Sequence, residues 1–202
     1  MPHSSRLPEP THLRRGTPQK WAYAKDAPIA VCFEAPTSKF GEQVEPPDES
    51  PDQIRICMDI WELDENHKPS VRRHRASGRP RGSPLTNVRV TRDGRVAVSA
   101  GWGSLRAWDL KTGRQRCRLE GHTGPVWDIV LADNDRKAVT ISEDATVRLW
   151  DLANGDLIAT FTCESPLHAI EATTIRDNDN DFLTIIAGED SGRVHILRLE
   201  TR

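Results

Sequence analysis

The sequence lacks any long apolar segment. Its apolar runs, such as the four residues 129–132 (Ile-Val-Leu-Ala), fall far short of the roughly 20 residues that a helix needs to cross a bilayer. The first five residues, Met-Pro-His-Ser-Ser, also lack the apolar core of a secretory signal peptide. We therefore expect a cytoplasmic protein rather than a membrane or secreted one.

Cysteine is scarce and scattered. The four cysteines, at positions 32, 57, 117 and 163, stand singly, and no Cys-x-x-Cys occurs. A chain of 202 residues buries enough surface to fold without crosslinks, so we expect these cysteines to be apolar residues in a reducing compartment. Cys57, His67 and His74 are too widely spaced for a zinc knuckle, and no metal site is expected.

Motifs of common enzyme classes are missing as well. There is no Gly-x-x-x-x-Gly-Lys-Ser/Thr phosphate-binding loop and no Gly-x-Ser-x-Gly nucleophile motif. The acidic run at residues 177–181 lacks the glycine that a calcium loop needs at its sixth position, so it is predicted to be a hairpin turn. The sequence therefore predicts no catalytic residue and no cofactor.

Charge is balanced overall but segregated near the N-terminus. The formal net charge of −2 is not that of a generic nucleic-acid binder. An acidic stretch at 42–65 is followed by a basic segment at 72–81, which binds phosphate, pairs with the acidic stretch, or forms a solvated loop. Its candidate phosphate contacts are Arg72, Arg73, Arg75, Arg79 and Arg81.

What the sequence does contain is a repeated β pattern. From residue 86 onward, short β-prone runs alternate with Asp-Gly, Thr-Gly and Asn-Gly pairs, which are typical of tight hairpins. Residues 105–114 match residues 147–156 almost position for position, and each match contains Trp-Asp. A period of about 40–47 residues with four short strands is typical of a β-propeller blade.

The segment from Gly121 to Asp151 resembles a complete WD40 repeat, with Gly-His at its start and Trp-Asp at its end. The resemblance covers residues 86–199 well and 54–77 weakly. The residue pattern of the repeats is similar to that of the C-terminal WD40 repeats of bacterial signal-transducing NTPases. It implies a buried hydrogen-bond network, in which an indole donates, a carboxylate accepts, and a hydroxyl and an imidazole do both. The residues at these positions are His122, Thr140, Asp144 and Trp150.

This resemblance implies an all-β, WD40-like β-propeller of about four blades, the first and last degenerate. Residues 1–18 are expected to be a disordered or extended tail. Residues 19–85 are expected to contain a clasp strand and a degenerate first blade with long Pro-rich acidic and basic loops, and 86–202 three blades. The clasp, at residues 20–25, is predicted to be the outer strand of the last blade, because too few residues follow that blade's third strand.

Four blades are fewer than a WD40 ring usually has, so three arrangements stay open: a tight four-blade ring, an eight-blade ring of two copies, or docking on a partner chain. Exposed end blades favour association. We expect a non-catalytic protein-interaction scaffold or sensor subunit of a bacterial signalling or defence assembly. The alternatives are a nucleic-acid- or phosphate-binding accessory and an enzyme with a propeller-borne pocket. Predicted partner contacts are Trp102, Thr123, Glu143, Pro166, His168, Glu189 and Asp190.

Overall fold

The computed structural model describes residues 20–34, 56–66, 69–78, 85–102, 105–177 and 180–201. Every regular element in these ranges is a β-strand, as the repeat pattern predicts. In this part of the chain, no helix has the length and apolar character that crossing a membrane requires. The predicted N-terminal tail, residues 1–18, lies outside the described residues.

The described strands form four antiparallel sheets, and within each sheet the strands are neighbours in chain order. The first sheet contains β1 (Lys20–Tyr23), β2 (Ile29–Glu34), β3 (Ile56–Leu63) and β4 (Pro69–Gly78). The second contains β5 (Leu85–Val90), β6 (Val96–Gly101), β7 (Leu105–Asp109) and β8 (Arg114–Leu119). The third contains β9 (Val126–Ala132), β10 (Lys137–Ser142), β11 (Thr146–Asp151) and β12 (Leu157–Thr162). The fourth contains β13 (Leu167–Asp177), β14 (Asn180–Glu189) and β15 (Val194–Thr201).

Glycines in the hairpin turns allow the strands to reverse. Gly94, Gly113 and Gly155 have φ angles of 68°, 68° and 89°, in the left-handed region where residues with a Cβ are strained. At Gly155 a Cβ would also lie 2.4 Å from the carbonyl oxygen of Arg118. The Asp-Gly, Thr-Gly and Asn-Gly pairs thus fulfil the predicted turn role.

The sheets pack face to face in chain order. Their first strands, β1, β5, β9 and β13, contact one another successively, which places them on the inner side of the array. One apolar cluster joins the first and second sheets, another the second and third, and another the third and fourth. The array is propeller-like, but within the described ranges the sheets do not close into a ring.

The predicted clasp is wrong. β1 pairs with β2, from Lys20 opposite Phe33 to Tyr23 opposite Ala30, so it is the first strand of the first sheet. The reason is proximity in the chain, because closing the short turn between β1 and β2 costs much less chain entropy than closing a loop to the fourth sheet. Within that turn, the backbone N–H of Ala24 donates to the carbonyl of Ile29.

The basic segment also differs from the expected loop. Its residues 72, 73 and 75 lie in β4, which pairs with β3 from Ile56 opposite Gly78 to Leu63 opposite Pro69. Pairing satisfies backbone N–H and C=O groups of β3 that would otherwise be unpaired, and a charged outer strand protects a sheet edge against aggregation. The side chains of these three arginines, together with Arg79 and Arg81, lie outside the described part of the structure.

A buried charge in β1 tests its place in the first sheet. Ala22 is 8% exposed and packs with Val31 and Ile60. We expect Ala22→Asp to destabilise this sheet by about 2 kcal/mol or more, because the carboxylate has no partner there. Amide hydrogen exchange should become faster in β2 and β3 and stay unchanged in β15, whereas exposed Lys25→Asp should change neither. Faster exchange confined to β15 would instead support the predicted clasp, in which β1 pairs with the last sheet.

Candidate functional site

The third sheet brings together the four residues of the implied network. Trp150 donates its indole N–H to Thr140 Oγ1 at 2.8 Å. Thr140 Oγ1 lies 2.7 Å from His122 Nε2, and His122 Nδ1 lies 2.9 Å from Asp144 Oδ2. With the imidazole proton on Nδ1, each proton in the chain has an acceptor, and no member is left unpaired.

Separate elements position these side chains. Thr140 lies in β10 and Trp150 in β11, while His122 comes from the connection before β9 and Asp144 from the turn after β10. The imidazole and the carboxylate are almost completely buried. Asp144 also accepts hydrogen bonds from the Thr123 backbone N–H at 2.9 Å and from the Thr146 hydroxyl at 2.6 Å.

The electrostatics of the network are those of a structural element. Burial lowers the pKa of His122, although the carboxylate of Asp144 opposes this, so the imidazole is neutral at pH 7. Burial opposes ionisation of Asp144, yet hydrogen bonds from Thr146, Thr123 and His122 hold its pKa at about 2. At pH 7 the pair is therefore a neutral imidazole beside a carboxylate, which is the protonation state that the hydrogen-bond chain requires.

The second sheet retains only part of the network. Trp108 donates its indole N–H to Ser99 Oγ at 2.9 Å, which corresponds to the bond between Trp150 and Thr140 in the third sheet. The connection before this sheet, residues 79–84, contains no histidine. The indole is nevertheless satisfied, because a single hydroxyl suffices for one donor.

Backbone hydrogen bonds identify the corresponding positions in the fourth sheet. The N–H of Glu143 donates to the carbonyl of Pro125 at 2.9 Å, and the N–H of Asp190 donates to that of Pro166 at 2.9 Å. These two turns therefore have the same geometry relative to the connection before their sheet.

Within this frame the fourth sheet contains different residues. The N–H of Thr123 donates to the carboxylate of Asp144, and the N–H of Glu164 donates to the carboxylate of Glu189 at 3.1 Å. Glu189 thus supplies the carboxylate of the fourth sheet. The residue before Glu164 is Cys163, which occupies the place of the network histidine.

Glu189 departs from its predicted role as a surface contact. Its residue is 7% exposed and its side chain is completely shielded. The carboxylate accepts hydrogen bonds from the Ser191 hydroxyl at 2.6 Å and the Ser165 hydroxyl at 3.2 Å, and His195 Nε2 lies 2.8 Å away. These partners draw the side chain inward, which a position in a turn did not indicate.

The other predicted contacts lie at the surface on this side of the molecule. Trp102 is 57% exposed, and its backbone forms a bridge with Pro125. Half-buried Pro166 is the least accessible of the set. The exposed ones are Thr123, Glu143, His168 and Asp190.

One residue of this surface was missed by the sequence prediction. The ring of Trp127, in β9, lies 5.9 Å from the ring of His168, and His168 Nε2 is 3.4 Å from Asp190 Oδ1. The indole N–H of Trp127 is buried and has no hydrogen-bond partner in the described structure. The available signal in the sequence was Trp127 itself, a tryptophan among the β-prone residues 126–130.

The face of the fourth sheet that points away from the third is exposed and carries an aliphatic patch beside the charged residues Glu171, Arg198 and Glu200. Ile186 and Ile196 are paired across β14 and β15 and are 44% and 67% exposed. Val194 and Ile175 lie on the same face, and both are exposed. Alternation along β14 and β15 places Ile185 and Leu197 on the opposite face, against the third sheet.

The corresponding face of the third sheet is covered by a neighbouring sheet. Ser142 and Glu189 begin equivalent turns, since their carbonyls accept from Ala145 and Gly192 respectively. Three residues before each are Val139 and Ile186. Val139 is fully buried against the fourth sheet, whereas Ile186 has no neighbouring sheet in the described structure.

The fourth sheet also has an open edge. It contains three described strands where the other sheets contain four, so β15 has no neighbour on its outer side. Between β15 and β12 lies a groove of about 350 Å³. Apolar residues line most of it, among them Val147, Leu149, Phe161, Leu197 and Leu199.

A cleft of about 510 Å³ lies near the hairpin turns of the first three sheets. Arginine and aspartate side chains line it together, and several are paired. Arg92 Nε lies 3.9 Å from Asp135 Oδ1, and Arg95 Nε lies 3.5 Å from Asp93 Oδ2. Paired charges of this kind do not present the convergent, uncompensated groups of a catalytic pocket.

Comparison with known proteins assigns part of the chain to a family. Residues 122–199 match a family described as the TEP-1 C-terminal beta-propeller. Over these residues the chain is a WD40-like β-propeller. The match covers the third and fourth sheets, including the complete network.

Relatives of this WD40 chain include subunits of a translation complex. Eukaryotic translation initiation factor 3 subunit I from Saccharomyces cerevisiae is 30% identical over 120 residues, which are 58% of this chain and 34% of the relative. The Caenorhabditis elegans protein of the same name is 33% identical over 84 residues, or 41% and 26%. The WD40 chain thus spans about a third of the length of the first of these relatives.

Solved structures support the same fold. The computationally designed Ika4 protein superposes with a TM-score of 0.61 at 16% identity, over 98% of this WD40 chain and 99% of the designed one. The designed Ika8 protein gives a TM-score of 0.58 at 18% identity, over 88% of this chain but only 45% of the design. The four-sheet array therefore corresponds to about half of the larger designed chain.

Removing the network carboxylate tests its structural role. Asp144→Ala leaves His122 Nδ1 and the Thr123 N–H without their acceptor, and we expect a loss of about 1–3 kcal/mol in the free energy of unfolding. Glu143→Ala, at the adjacent exposed position, should cost little. Urea unfolding of the two variants measures the difference, and equal losses would contradict the network's importance.

The pH dependence of that loss can be predicted in sign. The pKa of Asp144 is about 2 in the folded chain and 3.8 as the ordinary value. The carboxylate therefore contributes stability above about pH 4, and this contribution is lost as the pH falls through about 2. The stability difference between wild type and Asp144→Asn, from urea unfolding at each pH, should be constant from pH 7 to 5 and shrink below pH 4. A difference that persists unchanged at pH 2 would contradict this.

Proposed function

We propose that this chain is a non-catalytic WD40 scaffold subunit, and that a blade-like sheet of another chain covers the outward face of its fourth sheet. The observation that supports this most strongly is the exposed aliphatic face of β14 and β15. Its counterpart in the third sheet is covered by a neighbouring sheet. A contiguous apolar surface that is left in water marks an interaction site.

The shape of the face indicates the kind of partner. Ile186, Val194 and Ile196 stand on the surface of an antiparallel sheet, as Val139 and its neighbours do in the third sheet. A sheet with a complementary aliphatic face fits such a surface, because propeller blades pack in that way. The first sheet of a second copy of this chain is of this kind, and it is the partner that we propose for this face.

The cysteine chemistry supports a non-catalytic role. Cys163 is the half-buried thiol nearest to a histidine and a carboxylate among the described residues. Burial and the adjacent Glu189 carboxylate raise the pKa of this thiol to about 11. A thiol that stays protonated at neutral pH is a poor nucleophile, so a cysteine-dependent hydrolase is not supported.

The biological setting belongs to the same proposal. We propose a cytoplasmic sensor or scaffold subunit in a bacterial signalling or defence assembly whose effector lies in another chain. The resemblance of residues 86–199 to the WD40 repeats of bacterial signal-transducing NTPases supports this setting. The relatives named as subunits of initiation factor 3 support membership of a multi-protein complex more generally.

Trp102 is the proposed anchor for a second contact region. It is exposed on a turn, and Thr123, Glu143, His168 and Asp190 share its side of the molecule. Exposed tryptophans often dominate the energy of an interface. Partner binding at this region is expected to lose about 2 kcal/mol or more on Trp102→Ala, with little change in the stability of the chain itself.

The outward face is tested with matched substitutions of exposed isoleucines. Ile196→Asp places a charge on the face, whereas Ile158→Asp places one at a 45%-exposed position of β12 in the third sheet. We expect the wild-type chain to associate at micromolar concentration and Ile196→Asp to weaken the association at least tenfold. Sedimentation velocity on the three proteins gives the dissociation constants. A monomeric wild-type chain, or equal effects of the two variants, would contradict the proposal.

A further inference from the structure

Three side chains with metal-binding atoms meet next to the connection between β12 and β13. They are Cys163, which follows β12, Glu189 at the end of β14, and His195 near the start of β15. The thiol sulfur, a carboxylate oxygen and an imidazole nitrogen all lie within 4.8 Å of one another. Residues from three segments of the chain therefore converge on one point.

We propose that this cluster binds a transition-metal ion of the zinc type, with the three side chains as ligands and a fourth position open to water. Zinc binds thiolate, imidazole and carboxylate ligands at about 2.0–2.3 Å, which places tetrahedral ligand atoms about 3.3–3.8 Å apart. The three ligand atoms lie within 4.8 Å of one another, so side-chain shifts of about an ångström or less would bring them into this range. A set that includes sulfur and nitrogen favours zinc over magnesium or calcium.

Hydrogen bonds outside the three ligands orient them. One carboxylate oxygen of Glu189, Oε2, accepts from the hydroxyls of Ser191 and Ser165, while Oε1 accepts from the Glu164 backbone N–H and lies 2.8 Å from His195 Nε2. The His195 ring also packs against Phe161, with the ring centres 5.2 Å apart. Such surrounding contacts fix the orientation of metal ligands in proteins.

Solvent exposure provides both shielding and access. The Glu189 side chain is shielded completely, while that of His195 is 22% exposed. An ion can thus approach from the side of His195. It would replace the hydrogen bond between His195 and Glu189, with an increase of about half an ångström in their separation from 2.8 Å.

The charges explain why an ion would stabilise the cluster. A carboxylate and a thiolate together balance the two positive charges of a divalent ion. Zinc binds the thiolate form of cysteine, so the ion takes the place of the thiol proton, which leaves to solvent as one proton per ion bound.

A bound ion would connect the segment before β13 to the hairpin of β14 and β15. This hairpin belongs to the sheet that lacks a fourth described strand. The ion would therefore stabilise the most open sheet of the array. The proposal concerns this chain alone and does not depend on the partner proposed above.

Cobalt titration of the reduced, metal-free 202-residue chain tests the site, because a cobalt–thiolate bond absorbs in the near ultraviolet. We expect one equivalent of Co²⁺ to bind with micromolar or lower Kd, and Zn²⁺ to displace it. Cys163→Ser should remove the near-ultraviolet band and weaken binding at least tenfold. Cys117→Ser is the matched control, because Cys117 is also a half-buried free cysteine, and it should retain both.

Two further measurements separate a metal site from a hydrogen-bond network that merely replaces the one in the third sheet. His195→Gln keeps a polar side chain but should weaken Zn²⁺ binding at least tenfold. Zn²⁺ should raise the Tm of the wild-type chain and of Cys117→Ser, but not that of His195→Gln or Cys163→Ser. Binding should release about one proton per ion at pH 7, as measured by calorimetry in buffers of different ionisation enthalpy. Absence of saturable binding, or equal loss in Cys163→Ser and Cys117→Ser, would show a hydrogen-bond network only and overturn the proposal.

Discussion

Coverage of both faces of each sheet is the constraint on which this structure depends. A four-stranded sheet with apolar residues on both faces is stable only when a neighbour covers each face. The second and third sheets meet this condition within the chain, and Val98, Ile129 and Trp150 are consequently buried between them. The fourth sheet does not, so the same packing rule that builds the array also generates an exposed surface at its end.

Polar groups between the sheets follow a second rule, that buried donors and acceptors must be paired. The third sheet solves this with a chain from Trp150 to Asp144, and the second sheet with a single hydroxyl at Ser99. In the fourth sheet, Leu197 occupies the position that corresponds to Trp150, so no indole needs an acceptor there. Cys163 occupies the position that corresponds to His122, and the carboxylate of Glu189 and the imidazole of His195 lie next to its thiol.

Local pattern predicted much of this architecture. Alternation and turn pairs sufficed for the strands after residue 85, and the WD40 resemblance placed His122 and Asp144 at positions that the structure brings together. The predictions failed where strand pairing depends on competition between partners that are distant in the chain. The strand at Lys20–Tyr23 has an equally β-prone neighbour close by, and nothing in its composition reveals which edge it prefers.

The candidate site differed from its prediction for a related reason. A glutamate in a turn is usually solvated, and only the three-dimensional convergence of Ser165, Ser191 and His195 buries Glu189. The exposed face of β14 and β15 was likewise invisible, because Ile186 and Ile196 read as ordinary core residues. Whether such residues are buried depends on whether a neighbouring sheet exists.

The central claim is that the outward face of the fourth sheet is an interface. Amide hydrogen exchange in β14 and β15, measured across protein concentrations from nanomolar to tens of micromolar, tests it most directly. If another copy covers the face, protection of β15 should rise with concentration while that of β10, in the interior third sheet, stays constant. Protection of β15 that is independent of concentration would contradict the account.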